Sequence, residues 1–163
     1  MKKLLLLILI LGLAFSPASF GMMCGLSSAN NAGECVEQVT LASGETTIVS
    51  AGMVLVYNLD ATTPKQGSYE VRVATATSDN TFVAGFAKGR IVSGQQGLVV
   101  VRGLVNARIK GNEEAISSGD PLYVSTSGDV ANYPPAASSD LVGFALDDSA
   151  SGDTQNQIFV TIV

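Results

Sequence analysis

The chain has 163 residues, of which 47% are hydrophobic, 14% charged and 6% aromatic, and its formal net charge is −5. This length predicts one domain, and the low charge fraction excludes a disordered chain. The sequence has no histidine, the usual general base at neutral pH, and its two cysteines are too few for a structural zinc site. Its acidity disfavours nucleic acid as a partner. We therefore expect a structural or binding protein, not an enzyme, with no cofactor, metal or small-molecule substrate.

The first 21 residues differ in composition from the rest of the chain. Lys2 and Lys3 precede an apolar run over residues 4–15 that only Gly12 interrupts, and small residues follow it. This order is typical of a secretory signal peptide, and the run is shorter than the roughly 20 residues of a membrane helix. We interpret residues 1–21 as a signal-like segment. An uncleaved apolar arm and a lipid anchor on Cys24 are the alternatives.

Both cysteines follow this apolar segment closely. Cys24 and Cys35 lie within residues 22–45, which we interpret as a linker. An even number of cysteines in an exported chain favours a disulfide, here closing a short loop rich in Gly, Asn and Ser. Two free thiols in a flexible linker are the alternative. The spacing is not Cys-x-x-Cys, so redox catalysis is disfavoured.

From residue 46 onward, the sequence favours strands over helices. No apolar stripe of period 3.6 is present, and short β-rich runs alternate with Ser-Gly and Ala-Gly turns. Residues 69–73 (YEVRV) alternate as a half-buried strand does, whereas residues 98–101 (LVVV) predict a strand buried on both faces. The predicted strands cover residues 46–50, 53–57, 69–75, 81–87, 97–102, 104–109, 122–125, 140–146 and 157–163.

The order of motifs repeats in the two halves of this region. Val-Ala-Gly-Phe-Ala at 83–87 parallels Leu-Val-Gly-Phe-Ala at 141–145, and a Ser-Gly turn and a closing strand follow each copy. We predict one β domain over residues 46–163, built from two related units at about 46–110 and 111–163. In each unit the glycine would allow close backbone approach while Phe86 or Phe144 fills the core. Chance recurrence in a chain rich in Gly and Ala is the alternative.

These motifs also carry a family resemblance. Together with Ser-Gly-Asp-Pro-Leu-Tyr-Val at 118–124, their succession over residues 51–163 resembles the head decoration (capsid cement) proteins of tailed phages. Residues 118–124 also resemble repeats of phage fibre and tail proteins. The resemblance implies a small β-barrel of the β-clip group that forms a homotrimer on the virion surface, strengthens an assembled shell and has no catalytic residues.

The signal-like segment leaves a second interpretation open, because such phage proteins normally have no export signal. The alternative is an exported bacterial surface or fibre-forming β protein, secreted, periplasmic or on the cell surface. A virion protein that keeps residues 1–21 as an apolar arm is consistent with the resemblance. A cleaved segment would favour the exported protein.

Two regions are candidate contacts with a protein partner. No Asp or Glu falls between residues 88 and 110, although five basic residues do. We expect this basic strip to contact an acidic capsid shell or an identical subunit, and a solvated face that protects edge strands is the alternative. The linker before residue 46 could add a strand to a neighbour's sheet. The basic strip consists of Lys88, Arg90, Arg102, Arg108 and Lys110.

The most acidic segment is the stretch 147–153 (DDSASGD). It places three carboxylates close together, as a calcium site would. However, it lacks the ligand alternation of an EF-hand loop and has no closing Glu. We therefore expect an acidic surface turn between two strands, with no bound metal.

Overall fold

The computed structural model is all-β, as the sequence predicts. It describes residues 23–26, 32–58, 69–75, 82–110, 115–133, 141–150 and 154–161, so the segment 1–21 lies outside the described residues. In the described ranges no helix is long and apolar enough to cross a membrane, and the one helical segment is a 3₁₀ turn, Thr126–Gly128. The strands are β1 (Met23–Leu26), β2 (Ala32–Leu41), β3 (Val54–Tyr57), β4 (Tyr69–Val73), β5 (Val83–Ala87), β6 (Gln96–Arg108), β7 (Pro121–Val124), β8 (Val130–Ala131), β9 (Leu141–Ala145) and β10 (Gln155–Thr161).

The pairings form two rings that share β6. In the first ring β2 pairs with β4, then β3, β5 and β6 follow, and β6 pairs with β2. In the second, β6 pairs with β10, then β9, β7 and β8 follow, and a bridge from Val130 to Ile109 leads back to the end of β6. The contact between β5 and β6 has only two residue pairs. The all-β prediction is confirmed, but the sheet as a whole is not a clear closed barrel.

The two halves repeat the same pairing in the same register. β3 pairs antiparallel with β5 in the first half, and β7 pairs antiparallel with β9 in the second. β5 and β9 carry Gly-Phe-Ala, and in both pairings the register shifts after the second residue pair. The turn before that first strand is also repeated, since the Gly52 amide donates to the Ala87 carbonyl and the Gly119 amide to the Ala145 carbonyl. Equivalent pairs are Val54–Phe86 and Pro121–Phe144, Leu55–Gly85 and Leu122–Gly143, and Val56–Val83 and Tyr123–Leu141.

The core consists of two apolar clusters on opposite faces of β6. Val99 belongs to the cluster inside the first ring, with residues from β2, β3, β4 and β5, whereas Val100 belongs to the other. The second cluster joins the outer face of the first unit to the inner face of the second unit, and it includes Val54, Val56, Val83, Phe86, Val100, Leu122, Val142, Ala145 and Ile158. The prediction of a strand buried on both faces holds for Val99 and Val100 but is wrong for Leu98, which is 45% exposed.

Several strand boundaries differ from the sequence prediction. The linker interpreted at residues 22–45 contains β1 and β2, and β2 is paired on both edges, with β1 and β4 on one and β6 on the other. Residues 35–36 and 39–40 are therefore paired on both edges and are not free for addition to a neighbour's sheet. Residues 46–50 form only the bridge of Val49 to Ile91, and the two strands predicted at 97–109 are the single strand β6.

The Gly-Phe-Ala motif behaves differently in the two units. Phe86 is completely buried in the second cluster, but its counterpart Phe144 is 48% exposed, so the expectation that Phe144 fills the core is wrong. The physical reason is that the second unit covers the outer face of β5, while nothing in the described chain covers the same face of β9. The predicted close approach is present at Gly85, where a Cβ atom would lie 2.7 Å from the Val100 carbonyl oxygen.

We expect Gly85→Ala to lower the free energy of unfolding by roughly 2 kcal/mol or more, because Gly85 combines this contact with a φ of +144°. Thermal or denaturant unfolding measures the change. Gly89→Ala is the matched control, since a Cβ there meets nothing within 4 Å. Equal stability of the two variants would contradict the close approach of β5 to β6.

Candidate interaction surface

The basic strip divides into two groups around different carboxylates. Lys88 forms an ion pair with Glu34, which precedes Cys35, and Cys35 is the register partner of Arg102. Arg90 follows Lys88 by two residues, and Lys88, Arg90 and Arg102 are all exposed. No carboxylate of the described residues forms an ion pair with Arg90 or Arg102. This group presents exposed positive charge on the surface of the first unit.

The other group, Arg108 and Lys110, lies around Asp129 in the second unit. Nε of Arg108 is 3.1 Å from Oδ1 of Asp129, whose side chain is only 13% exposed. Burial raises the pKa of the Asp129 carboxyl, and the positive charges of Arg108 and Lys110 lower it only in part. This half of the basic strip is therefore largely committed to a contact inside the chain.

The N-terminal hairpin is held against β6 beside the exposed cations. Cys24 and Cys35 are register partners in the antiparallel pair β1–β2, and Cys35 is buried and disulfide-bonded. Adjacent antiparallel strands bring facing Cα atoms to about 4.5–5.5 Å, a separation that a disulfide spans. Glu34 of the hairpin packs closely against Gly103 of β6, because a Cβ atom on Gly103 would lie 2.9 Å from Cα of Glu34.

Two carboxylates link strands of the first ring through hydrogen bonds. The Tyr57 hydroxyl donates to Oε2 of Glu37 at 2.9 Å, which links β3 to β2. Burial, and then this hydrogen bond, raise the pKa of the Tyr57 hydroxyl, so it remains a donor at neutral pH. Glu45 accepts two backbone amides at 3.1 Å, from Thr47 and from Val73 at the end of β4. These contacts tie β2, β3 and β4 of the first ring to one another and to residues 45–47.

The acidic turn is fixed by hydrogen bonds to its own chain. Oδ1 of Asp148 accepts the Ser118 amide at 2.7 Å, and Oδ2 of Asp120 accepts the Ser117 amide at 2.8 Å. Asp153 lies outside the described residues. Across the part of the chain that is described, no group of three metal-ligating side chains is present.

An exposed apolar face on the second unit was not identified from the sequence. Leu104 on β6, Leu141 and Phe144 on β9, and Leu146 just beyond β9 are 48%, 49%, 48% and 41% exposed. These side chains carry the same period-two alternation as core strands, so the sequence alone assigns them to the core. We call this surface the outer face of the second unit.

We expect acidification to act differently on Asp129 than on an exposed carboxyl. The folded-state pKa is above the ordinary value of 3.8, so ionisation of Asp129 opposes folding above that pKa, and the penalty disappears as the pH falls below 3.8. Relative to Asp129→Asn, wild type should therefore gain stability between pH 7 and pH ~4. Melting temperatures at both pH values measure this, with Asp147→Asn as the control for lost charge. A constant difference between wild type and Asp129→Asn would contradict the burial.

We propose that Cys24 is the disulfide partner of Cys35 and expect neither cysteine to react with an alkylating agent until a reductant is added. Closing a loop of this length stabilises the fold by about 3 kcal/mol in the chain-entropy account. Paired Cys24→Ser and Cys35→Ser substitutions should lower the melting temperature as much as reduction of the wild type does. Alkylation of the unreduced, folded protein would count against the bond.

Known proteins resemble this chain in sequence and in fold. The sequence matches the phage cement protein family over residues 30–162. The fold is similar to that of the N base of the head fiber gp8.5 of bacteriophage phi29, with a TM-score of 0.50, 18% identity, and coverage of 80% of this chain and 98% of that one. No curated protein matches the sequence. Because the family match spans most of the chain, including both β units, the chain belongs to the phage cement protein family.

Proposed function

We propose that this protein decorates the outer surface of a phage capsid, binds the assembled shell and stabilises it as a homotrimer. The observation that carries the proposal is the family match over residues 30–162. The similar fold of a phage head fiber base supports the same architecture. Neither comparison favours the alternative of an exported surface protein. The role is structural and involves no catalysis, in keeping with a sequence that has no histidine.

The mechanism is mass action. A protein that binds the assembled shell but not its separate subunits lowers the free energy of the assembled state relative to the dissociated subunits. At a concentration about 100-fold above its dissociation constant, each bound copy contributes about 2.7 kcal/mol. No chemistry is required, and the described part of the chain puts its buried carboxylates and tyrosine into contacts that hold its own strands.

The exposed cations beside the N-terminal hairpin are the proposed contact with the shell. Lys88 and Arg90 lie in the turn after β5, a rigid position because the Lys88 amide donates to the Leu98 carbonyl at 2.9 Å. The exposed cations would be attracted to an acidic patch of the shell. The acidic remainder of the chain would be repelled by acidic surface, which favours one orientation of binding. Arg90 and Arg102 contribute most, because Glu34 already neutralises part of the Lys88 charge and Asp129 part of the charge of Arg108 and Lys110.

We expect the purified full chain to bind phage shells that lack it and to raise the temperature at which they rupture. Co-sedimentation with shells and with dissociated capsid subunits measures the binding, and a thermal rupture assay measures the stabilisation. Preference for the assembled shell is the predicted result. Equal binding to dissociated subunits, or no effect on rupture, would contradict a cement function.

We expect Arg90→Gln to weaken shell binding about 5-fold, because a single solvent-exposed charge pair contributes up to about 1 kcal/mol. The loss should shrink at high salt, where such pairs are screened. Thr46→Glu is the control, since it also lowers the net charge by one at an exposed position. If both variants lose affinity equally, net charge governs binding and the cation group is not the contact.

A further inference from the structure

Three aromatic residues lie at the same end of three neighbouring strands in the first unit. Strand β3 ends at Tyr57, β4 begins at Tyr69, and Phe82 immediately precedes β5. Because β4 and β5 flank β3 and both run antiparallel to it, these positions fall at one end of the sheet. We call the three aromatic residues, together with Glu37 of β2, the aromatic corner.

The strand register places the three aromatic side chains on one face. The Tyr57 amide donates to the Phe82 carbonyl at 2.9 Å, which continues the β3–β5 pairing by one residue, so the two side chains are opposite each other. Tyr57 is also the register partner of Val71 on β4. Tyr69 lies two residues before Val71 and therefore projects to the same face. Tyr57 packs against the apolar cluster inside the first ring, which identifies this face as the inner one.

Two of the three rings are exposed although the third is fixed in place. Tyr57 is held by the core beneath it and by the hydrogen bond from its hydroxyl to Oε2 of Glu37 at 2.9 Å. The rings of Tyr57 and Tyr69 are nearly perpendicular, with centroids 5.5 Å apart and an interplanar angle of 75°. Tyr69 is 64% exposed and Phe82 is 58% exposed. The corner therefore presents aromatic surface to solvent in a preformed arrangement.

The electrostatics of the aromatic corner favour a cation. Between described residues, ion pairs engage Glu34 and Asp129 but not Glu37, whose carboxylate accepts the Tyr57 hydroxyl. The faces of aromatic rings carry the negative part of the ring quadrupole, so they attract cations as well. A carboxylate without a cationic partner and exposed ring faces beside it are together complementary to a positively charged group.

We propose that the aromatic corner binds a quaternary ammonium group, such as the trimethylammonium group of choline. A primary ammonium donates three hydrogen bonds, but the corner offers it one carboxylate, and Oε2 of that carboxylate already accepts the Tyr57 hydroxyl. A quaternary ammonium has no N–H group to satisfy, and ring faces and a single carboxylate are enough to attract it.

This inference goes beyond shell decoration and does not rest on it. Phe82 precedes β5 and the exposed cations Lys88 and Arg90 follow it, so the corner and the proposed shell contact lie at opposite ends of a strand of five residues. At about 3.4 Å per residue, that strand separates them by roughly 17 Å. Both contacts can therefore be made at the same time.

The test is calorimetric titration of the full chain with choline and with two analogues of it. Ethanolamine replaces the quaternary ammonium by a primary one, and an uncharged analogue replaces the ammonium nitrogen by carbon. We expect choline to bind with a dissociation constant on the order of 1 mM, as suits so small a ligand. Both analogues should bind about 5-fold more weakly or not at all. No binding of choline, or equal binding of choline and the uncharged analogue, would overturn the proposal.

Substitutions at exposed positions locate the site without removing core contacts. Tyr69→Leu should raise the dissociation constant for choline about 5-fold, whereas Tyr69→Phe, which keeps the ring, should bind choline as the wild type does. Glu37→Gln should also weaken binding, because it removes the carboxylate. Tyr133→Leu is the matched control, since Tyr133 is an exposed tyrosine of the second unit. Equal affinity of Tyr69→Leu and Tyr133→Leu would overturn the assignment to this corner.

A choline headgroup of a lipid and a choline group on a soluble molecule share this chemistry, and vesicles of phosphatidylcholine distinguish them. Co-sedimentation with vesicles that free choline reverses supports the site and assigns the lipid as its source. Binding of free choline without co-sedimentation supports the site and assigns a soluble source. Shell binding is measured separately, so a chain that binds choline but not shells retains this site and loses only the cement function. A chain that binds shells but not choline overturns this inference alone.

Discussion

The whole structure depends on β6 being buried on two faces at once. Val99 packs into the cluster inside the first ring and Val100 into the cluster between the units, so one backbone serves as a wall for both. Further along the strand, Gly103 lets the hairpin approach, and its second half pairs with β10. A strand 13 residues long thus couples the two units, and neither unit can open without exposing apolar surface of the other.

This coupling explains why two units with the same pairing are not alike. The first unit has an inner cluster of its own and an outer face covered by the second unit. The second unit uses its inner face to cover the first and keeps an outer face that nothing in the described chain covers. A duplicated unit stacked on its copy always leaves one terminal face, and repeat proteins normally make such a face polar. Here Leu141 and Phe144 are apolar and about half exposed at that position.

The sequence predicts the local structure well and the tertiary environment less well. Alternation and turn residues locate β3, β4, β5, β7, β9 and β10 to within a few residues, and the two copies of the repeated motif share one register, which the sequence alone does not specify. It misses β2 because the Gly-, Asn- and Ser-rich loop before it suggests a linker, although residues 38–41 alternate. It cannot distinguish Phe86 from Phe144, since both occur in Gly-Phe-Ala, and only the packing of one unit on the other decides which is buried.

The same limit applies to the candidate interaction surface. Counting charges along residues 88–110 produces one basic strip. In the structure, β6 separates Arg108 from Lys88 and Arg90, and the partner carboxylates come from distant positions in the sequence. Glu34 lies 54 residues before Lys88, and Asp129 belongs to the second unit. Long-range pairing of this kind leaves no local signal. Counting charges does identify residues 88–110 as a segment without carboxylates, and within it Arg90 and Arg102 are exposed.

Binding a shell through a few exposed cations has an energetic consequence. One exposed ion pair contributes at most about 1 kcal/mol, too little for a single copy to hold a shell by a few surface cations. In the proposed homotrimer, the copies present the same cations several times in fixed symmetry, and once one copy has bound, the others bind at a high effective concentration. Such linkage raises the overall affinity by about 10²–10⁴ without any new contact. It also selects the assembled shell, because only a shell repeats the acidic patch with matching spacing. In the proposed homotrimer, the symmetry of the copies therefore determines how well weak charges discriminate a shell from its parts.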